Sequence, residues 1–198
     1  MNLYFSSVFT HEQSDLPEFD NMIYNNLSHI LCTPSEVEKH LKALNIHKSP
    51  RPNLISPHIL KECTLELSTS LCVLFNKSFS TGMLPADWKI ANITPIHKQG
   101  NKHKKENYRQ ISLSSIVCKI AEKIVRSRIT TFWSTHHVLN PNQFGYLEGK
   151  STLAQLLSCF HDWCLSRNNS KTTDAIFLDL SKAFDSVPHE RLLLKLSR

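Results

Sequence analysis

The chain has 198 residues, 40% of them hydrophobic and 20% charged, the balance of one globular domain, or a large part of one, with enough length to bury a core. Only four glycines and nine prolines exclude a low-complexity or fibrous chain, and no apolar run approaches the roughly 18 residues that cross a bilayer. The net charge is +6, and the excess is local: between positions 89 and 109 stand Lys89, Lys98, Lys102, Lys104, Lys105 and Arg109 against one acid, Glu106. Such a concentration suits a polyanion such as nucleic acid, although a solvated loop is the plainer reading of a bare lysine run.

The first fifteen residues, "MNLYFSSVFTHEQSD", lack the basic start and apolar stretch of a secretory signal. Six cysteines, at 32, 63, 72, 118, 159 and 164, include no C-x-x-C pair. They read as reduced core thiols of an intracellular protein, with cytoplasm and nucleus not distinguished. Residues 1–30 show little periodicity.

"TPSEVEKHLKAL" then opens a helix, with Thr33 as N-cap, Pro34 at the first helical position and Glu36 completing a capping box. "KSPRPN" breaks it. "SPHILKECTLELSTSLCVLFNKSFSTG" restarts helix at Ser56 and Pro57, and Ile59, Leu60, Cys63, Leu67, Leu71, Leu74, Phe75 and Phe79 recur at helical spacing until Gly82 ends it. "WKIANITPIHK" is rich in β-formers, and Pro95 suits an edge strand. A basic loop runs to Asn107. "SLSSIVCKIAEKIVRSRITTFW" has the clearest helical stripe, Ile116, Val117, Ile120, Ile124, Val125 and Ile129, opposite Lys119, Lys123, Arg126 and Arg128. After the turn "LNPNQFGYLEGKS" comes the helix "TLAQLLSCFHDWCLSR". The polar loop "NNSKTT" leads into a strand, "DAIFLDL", and Pro188 opens a last helix, "HERLLLKLS".

Three clusters bear on chemistry. "CFHDWC" offers Cys159, His161 and Cys164, but the spacing matches no usual zinc pattern, so core packing is the better account. "GYLEGKST" has three residues between its glycines where a phosphate loop needs four, and no apolar strand precedes it. In "AIFLDLSKAFDSV" an aspartate, Asp179, closes an apolar run. A charge there is costly unless a cation or several donors meet it. Strand-end carboxylates hold Mg²⁺, and aspartates also cap turns; spacing leaves both readings open. Asp185, just before Ser186-Val187-Pro188, fits a cap of the last helix better.

Taken in order, the segments resemble the reverse transcriptases of LINE-type non-LTR retrotransposons. "YFSSVFT" is similar to the segment preceding the polymerase domain, so residues 1–30 are expected to precede it and 31–198 to form part of it. "KSPRPNLISPHILK" resembles K-S-P-G-P-D-G-I, "NYRQISL" resembles N-Y-R-P-I-S-L, "NQFGYLEGKSTLAQL" resembles Q-x-G-F-x-x-G-R-S-T, and "FLDLSKAFDSVPHERLLLKL" resembles the first palm motif. The fold implied is α+β, a mostly helical, right-hand polymerase-like fingers region with the first palm strand and an incomplete sheet. The activity implied is RNA-directed DNA polymerisation.

The resemblance also implies roles. Asp179 becomes the catalytic, metal-binding aspartate, assisted by the carbonyl of Leu180, with Mg²⁺ as cofactor. Arg109 meets the triphosphate of the incoming dNTP, and Phe184 supports its sugar. The basic stretch, independently of the resemblance, offers Lys98, Lys102, Lys104 and Lys105 as nucleic-acid contacts; an RNA template and a DNA primer are the partners the resemblance implies, and no membrane is. Some positions depart from the pattern: Arg51, Asn53 and Leu54 stand where the block has glycine, aspartate and glycine, Gln110 replaces proline and Lys150 arginine. Arg or Leu would be strained where the turn needs a positive φ, and scattered losses suit a decaying copy. The family's second acidic motif, an aromatic-x-Asp-Asp hairpin, does not occur in the sequence. Two Mg²⁺ ions need more than Asp179 to hold them, so the chain alone is expected to be inactive. The alternative is a non-catalytic nucleic-acid-binding remnant of a decayed element.

Overall fold

The computed structural model describes residues 1–10, 26–27, 29–47, 52 and 54–197. Among these the chain forms seven α-helices and one two-stranded antiparallel sheet, a mixed α and β architecture. The helices are α1 (Asn2–Ser6), α2 (Pro34–Lys42), α3 (Pro57–Glu62), α4 (Thr64–Thr81), α5 (Ile116–Thr135), α6 (Thr152–Asn168) and α7 (His189–Leu196); the strands are β1 (Ala91–His97) and β2 (Tyr108–Ser114). Contacts divide the chain into two units, Met1–Phe132 with Phe184–Arg198, and Trp133–Ala183.

The core lies in the first unit, where α2, α3, α4 and α5 meet. Val37, Leu41, Phe75 and Ile124 are fully buried in it, with Leu60, Cys72, Ile116, Val117, Ile120 and Ala121. Phe75 is its centre, with ring centroids 6.3 Å from Phe79 and 5.7 Å from Trp88. The helical stripes read from the sequence supply Leu60, Phe75, Ile116, Val117, Ile120 and Ile124 to this core, because a 3.6-residue repeat puts them on one face, whereas Ile59, Cys63 and Leu74 of the same reading are exposed.

The helix starts follow local chemistry. Thr33 caps α2 by accepting from the Glu36 amide at 3.3 Å, and Pro34 occupies the first position. The reciprocal half of the expected capping box is not made; the Glu36 carboxylate instead accepts from Arg128 Nη2 of α5 at 2.8 Å. Ser56 caps α3 through the His58 amide at 3.2 Å. The expected single helix from Ser56 to Gly82 is two helices, broken at Cys63, whose backbone leaves helical geometry at φ −88°, ψ 28°. Gly82 ends α4 in the left-handed conformation, φ 66°, which a glycine adopts without steric cost.

β1 lies where the sequence indicated, and Pro95 sits in a two-stranded ribbon where a missing N–H is tolerated. β2 pairs with it in the register Ala91↔Ser114, Ile93↔Ser112, Pro95↔Gln110 and His97↔Tyr108. The hydrophobic stripe had suggested helix from Ser112. The strand takes Ser112 and Ser114, and α5 starts after buried Ser115, which caps it by accepting from the Cys118 amide at 3.3 Å.

In the second unit Ser151 caps α6, accepting from the Ala154 amide at 3.1 Å. Core packing had been expected around "CFHDWC", but Phe160, Trp163 and Cys164 are exposed and Cys159 half-buried. The cysteines divide the same way: Cys32, Cys72 and Cys118 are buried, Cys63 and Cys164 exposed, and all are free thiols. Residues 174–180, expected as the first palm strand, run without helix or strand, with Ile176, Phe177 and Leu178 exposed. A strand exists by the ladder it joins, and β1 and β2 pair only with each other among the described residues. No helix among the described residues is long and apolar enough to cross a membrane.

Candidate nucleotide and nucleic-acid site

The basic stretch folds as the β1–β2 hairpin, which brings its cations together. The Lys98 amide donates to the Asn107 carbonyl at 2.8 Å, closing the strands. The loop then carries Lys102, Lys104 and Lys105, all exposed. Gly100 turns it with φ 81°; a Cβ there would lie 2.8 Å from Asn107 Nδ2, the atom that donates to the Asn101 carbonyl at 2.9 Å. The Tyr108 hydroxyl donates to the Lys102 carbonyl at 2.9 Å, and the Tyr108 ring meets its strand partner His97 edge-on at 5.3 Å. These contacts shape the loop through its backbone and leave the charged ends of Lys98, Lys102 and Lys104 toward solvent. Lys105 differs: its ammonium lies 4.9 Å from the Tyr4 ring of α1, a cation–π contact.

Arg109, the second residue of β2, is exposed. Strand alternation turns it to the opposite face from Gln110. Gln110 Nε2 donates to Asp185 Oδ1 at 2.9 Å. Asp185 therefore does not cap the last helix; Pro188 is the N-cap residue of α7, with no side-chain cap bond. The reason is competition: the amide of a packed strand residue reaches the carboxylate, and a charge-assisted bond of that length is stronger than an exposed cap. Next to it, Phe184 is 72% exposed. The lysines, Arg109, Phe184 and Asp185 all belong to the first unit, whereas Asp179 and Leu180 belong to the second.

Asp179 and Leu180 lie in the exposed segment without regular structure. Among the described residues no three His, Cys, Asp or Glu side chains are grouped to hold a metal ion. The donors at this position are thus one carboxylate and one backbone carbonyl. That set fits a single Mg²⁺ only with substrate phosphates and water completing the octahedron, and does not fit two ions. In the same unit Lys150 Nζ donates to the Pro141 carbonyl at 3.1 Å and lies 4.6 Å from the Phe144 ring, tying down the "GYLEGKST" turn. Lys150 thereby holds this turn through its ammonium group.

Among the described residues three groups have displaced proton affinities. Burial, then the hydrogen bond to Cys72, pushes the Cys32 thiol up to about 12. Burial and the bond to Glu122 push Cys118 to about 11. Burial and the nearby Lys123 ammonium lower His40 below its usual 6.5. None of these belongs to the hairpin or to 174–185. The Gln110–Asp185 contact is what sequence reading missed, and the only available signal was the substitution of an amide for proline at 110.

The family model for reverse transcriptase (RNA-dependent DNA polymerase) matches residues 96–198. A probable RNA-directed DNA polymerase from transposon BS of Drosophila melanogaster is 29% identical over 164 residues, covering 82% of this chain and 18% of the relative. The RNA-directed DNA polymerase from mobile element jockey of the same fly is 29% identical over 84% of this chain and 18% of its own length. A Pol polyprotein from the type-1 retrotransposable element R2 of Popillia japonica is 29% identical over 59% of this chain and 16% of its own. The chain thus spans under a fifth of the length of these relatives. With the hairpin loop and β2, the "NQFGYLEGKST" turn and "FLDLSKAFD" all inside the matched residues, the chain belongs to the reverse transcriptase family, as carried by LINE-type non-LTR retrotransposons.

Proposed function

We propose that the chain is the fingers region and first palm segment of an RNA-directed DNA polymerase, residues 1–30 preceding that domain and 31–198 forming part of it. The observation that carries this reading is the family match over residues 96–198, which contains the hairpin cations and Asp179 together. In this reading Lys98, Lys102, Lys104 and Lys105 hold the phosphates of template or primer, Arg109 meets the dNTP triphosphate and Phe184 its sugar. Asp179 and the Leu180 carbonyl are this chain's donors to Mg²⁺. Bound there, the ion would neutralise charge on the phosphoryl group being transferred to the primer 3′-hydroxyl.

The 198-residue chain is not active alone in this proposal. Its support is the donor set: one carboxylate at Asp179, with no group of three ligands among the described residues, against the two ions that in-line nucleotidyl transfer uses. Primer extension on a homopolymer RNA template with Mg²⁺ is expected to give no product, and clear incorporation would overturn this part. The binding part has its own test. Single-stranded RNA should bind with a steep salt dependence, and Lys102, Lys104 and Lys105→Ala together should reduce the log–log slope by about 2, given about 0.7 per phosphate contact. An unchanged slope refutes the hairpin as the contact surface.

A further inference from the structure

Two side-chain hydrogen bonds from distant parts of the sequence converge on one short turn. Gln110 Nε2 donates to Asp185 Oδ1 at 2.9 Å. Thr10 Oγ1 donates to the Ser186 carbonyl at 2.7 Å. The exposure of the chain changes at this point: residues 174–184 are exposed, and 185–188 are half-buried. Both bonds lie within the first unit, as do Phe184 and Arg109. Gln110 also lines a cleft of about 220 Å³ between the sheet and α1, with Leu3, Phe5, Phe9, Ile93 and Ser112. The N-terminal segment therefore packs on the same face of the sheet from which Gln110 reaches Asp185.

Phe184 is 72% exposed, so the position of the backbone beside it bears directly on where its ring stands. We infer that Gln110 and Thr10 are positioning residues, which pin the 184–186 turn to β2 and to the N-terminal segment and so fix where Phe184 stands relative to Arg109. Gln110 is next in sequence to Arg109, and Asp185 is next to Phe184, so their bond ties the backbone beside one to the backbone beside the other. A proline at 110 would have no donor for it. The inference rests on the reading of Arg109 and Phe184 as nucleotide contacts.

The test uses the 198-residue chain with para-fluorophenylalanine at position 184, read by fluorine NMR. Gln110→Ala and Thr10→Val should each shift or broaden the resonance. Gln110→Glu should do so more strongly, because two carboxylates then face each other. Gln110→Glu combined with Asp185→Asn exchanges donor and acceptor and should return the parent signal. Titration with Mg²⁺ and a dNTP should shift the parent resonance, with a Kd about tenfold weaker in Gln110→Ala, the loss expected for a hydrogen bond to a charged group, and recovery in the exchanged pair. A signal identical in parent, Gln110→Ala and Thr10→Val overturns the inference. So does an exchanged pair that is folded by circular dichroism yet fails to restore the signal. If the substitutions move the resonance but the dNTP does not, the tether stands and the nucleotide-site reading falls.

Discussion

Leu54 occupies the left-handed region at φ 56° and is 80% exposed. Its Cβ suffers the clash that makes this conformation rare for branched or bulky residues, and its side chain gains little packing in return. The sequence comparison placed it where the related block has glycine. Replacing it with glycine removes about 1–2 kcal/mol of backbone strain and adds about 0.5–1 kcal/mol of unfolded-state entropy. Leu54→Gly should therefore stabilise the chain by about 0.5–1 kcal/mol. At this chain length that is a rise in Tm of about 1–4 °C. Leu54→Asn should lie between, since Asn tolerates the left-handed region better than other side chains. Leu54→Ala keeps the Cβ and should match the parent. Thermal unfolding followed by far-ultraviolet circular dichroism, with urea midpoints as a second measure, gives the ranking. A Leu54→Gly chain no more stable than Leu54→Ala refutes the strain argument.

Phe75→Ala empties the centre of the α2–α5 core and should cost about 3–5 kcal/mol, seen as a lower urea midpoint at unchanged slope. His40 has its folded proton affinity lowered by burial and by Lys123 and Lys39, against an opposing pull from Glu36. The unfolded chain then takes up its proton first as pH falls below about 6.5, so stability should drop there, and His40→Gln should flatten the drop; equal pH profiles for the two proteins would exclude His40 as the cause. Iodoacetamide at pH 8 should label exposed Cys63 and Cys164 at once. Buried Cys118, with its thiol near 11, and Cys32, near 12, should label only when denaturant is added, as peptide mass spectrometry would show.

Local signals foretold much of this fold, and the misses share a cause. Thr33, Ser56, Gly82 and the α5 stripe act within a turn or two of themselves, and each does in the structure what its chemistry indicated. β2 was hidden because "YRQISLS" becomes a strand through pairing with β1, a partner that no local pattern announces. The reverse error occurred at 174–180, where strong β-formers suggest a strand and no pairing is made among the described residues. At the site, the hairpin cations were legible as composition. The Gln110–Asp185 bond was not, because it joins residues 75 apart in the sequence, and Asp185 three residues before Pro188 carries the same local signature as a helix cap.

Glu36 carries a consequence for how the first unit assembles. Its amide completes the local cap of α2, while its carboxylate reaches Arg128, 92 residues away on α5. One residue thus takes part both in starting a helix and in docking another. A weaker cap should loosen the contact, and loss of the contact should free the carboxylate for the cap. The energies of Thr33 and Arg128 should accordingly fail to add in a double-mutant cycle. The first turn of α2 therefore gains part of its stability only once α5 has docked beside it.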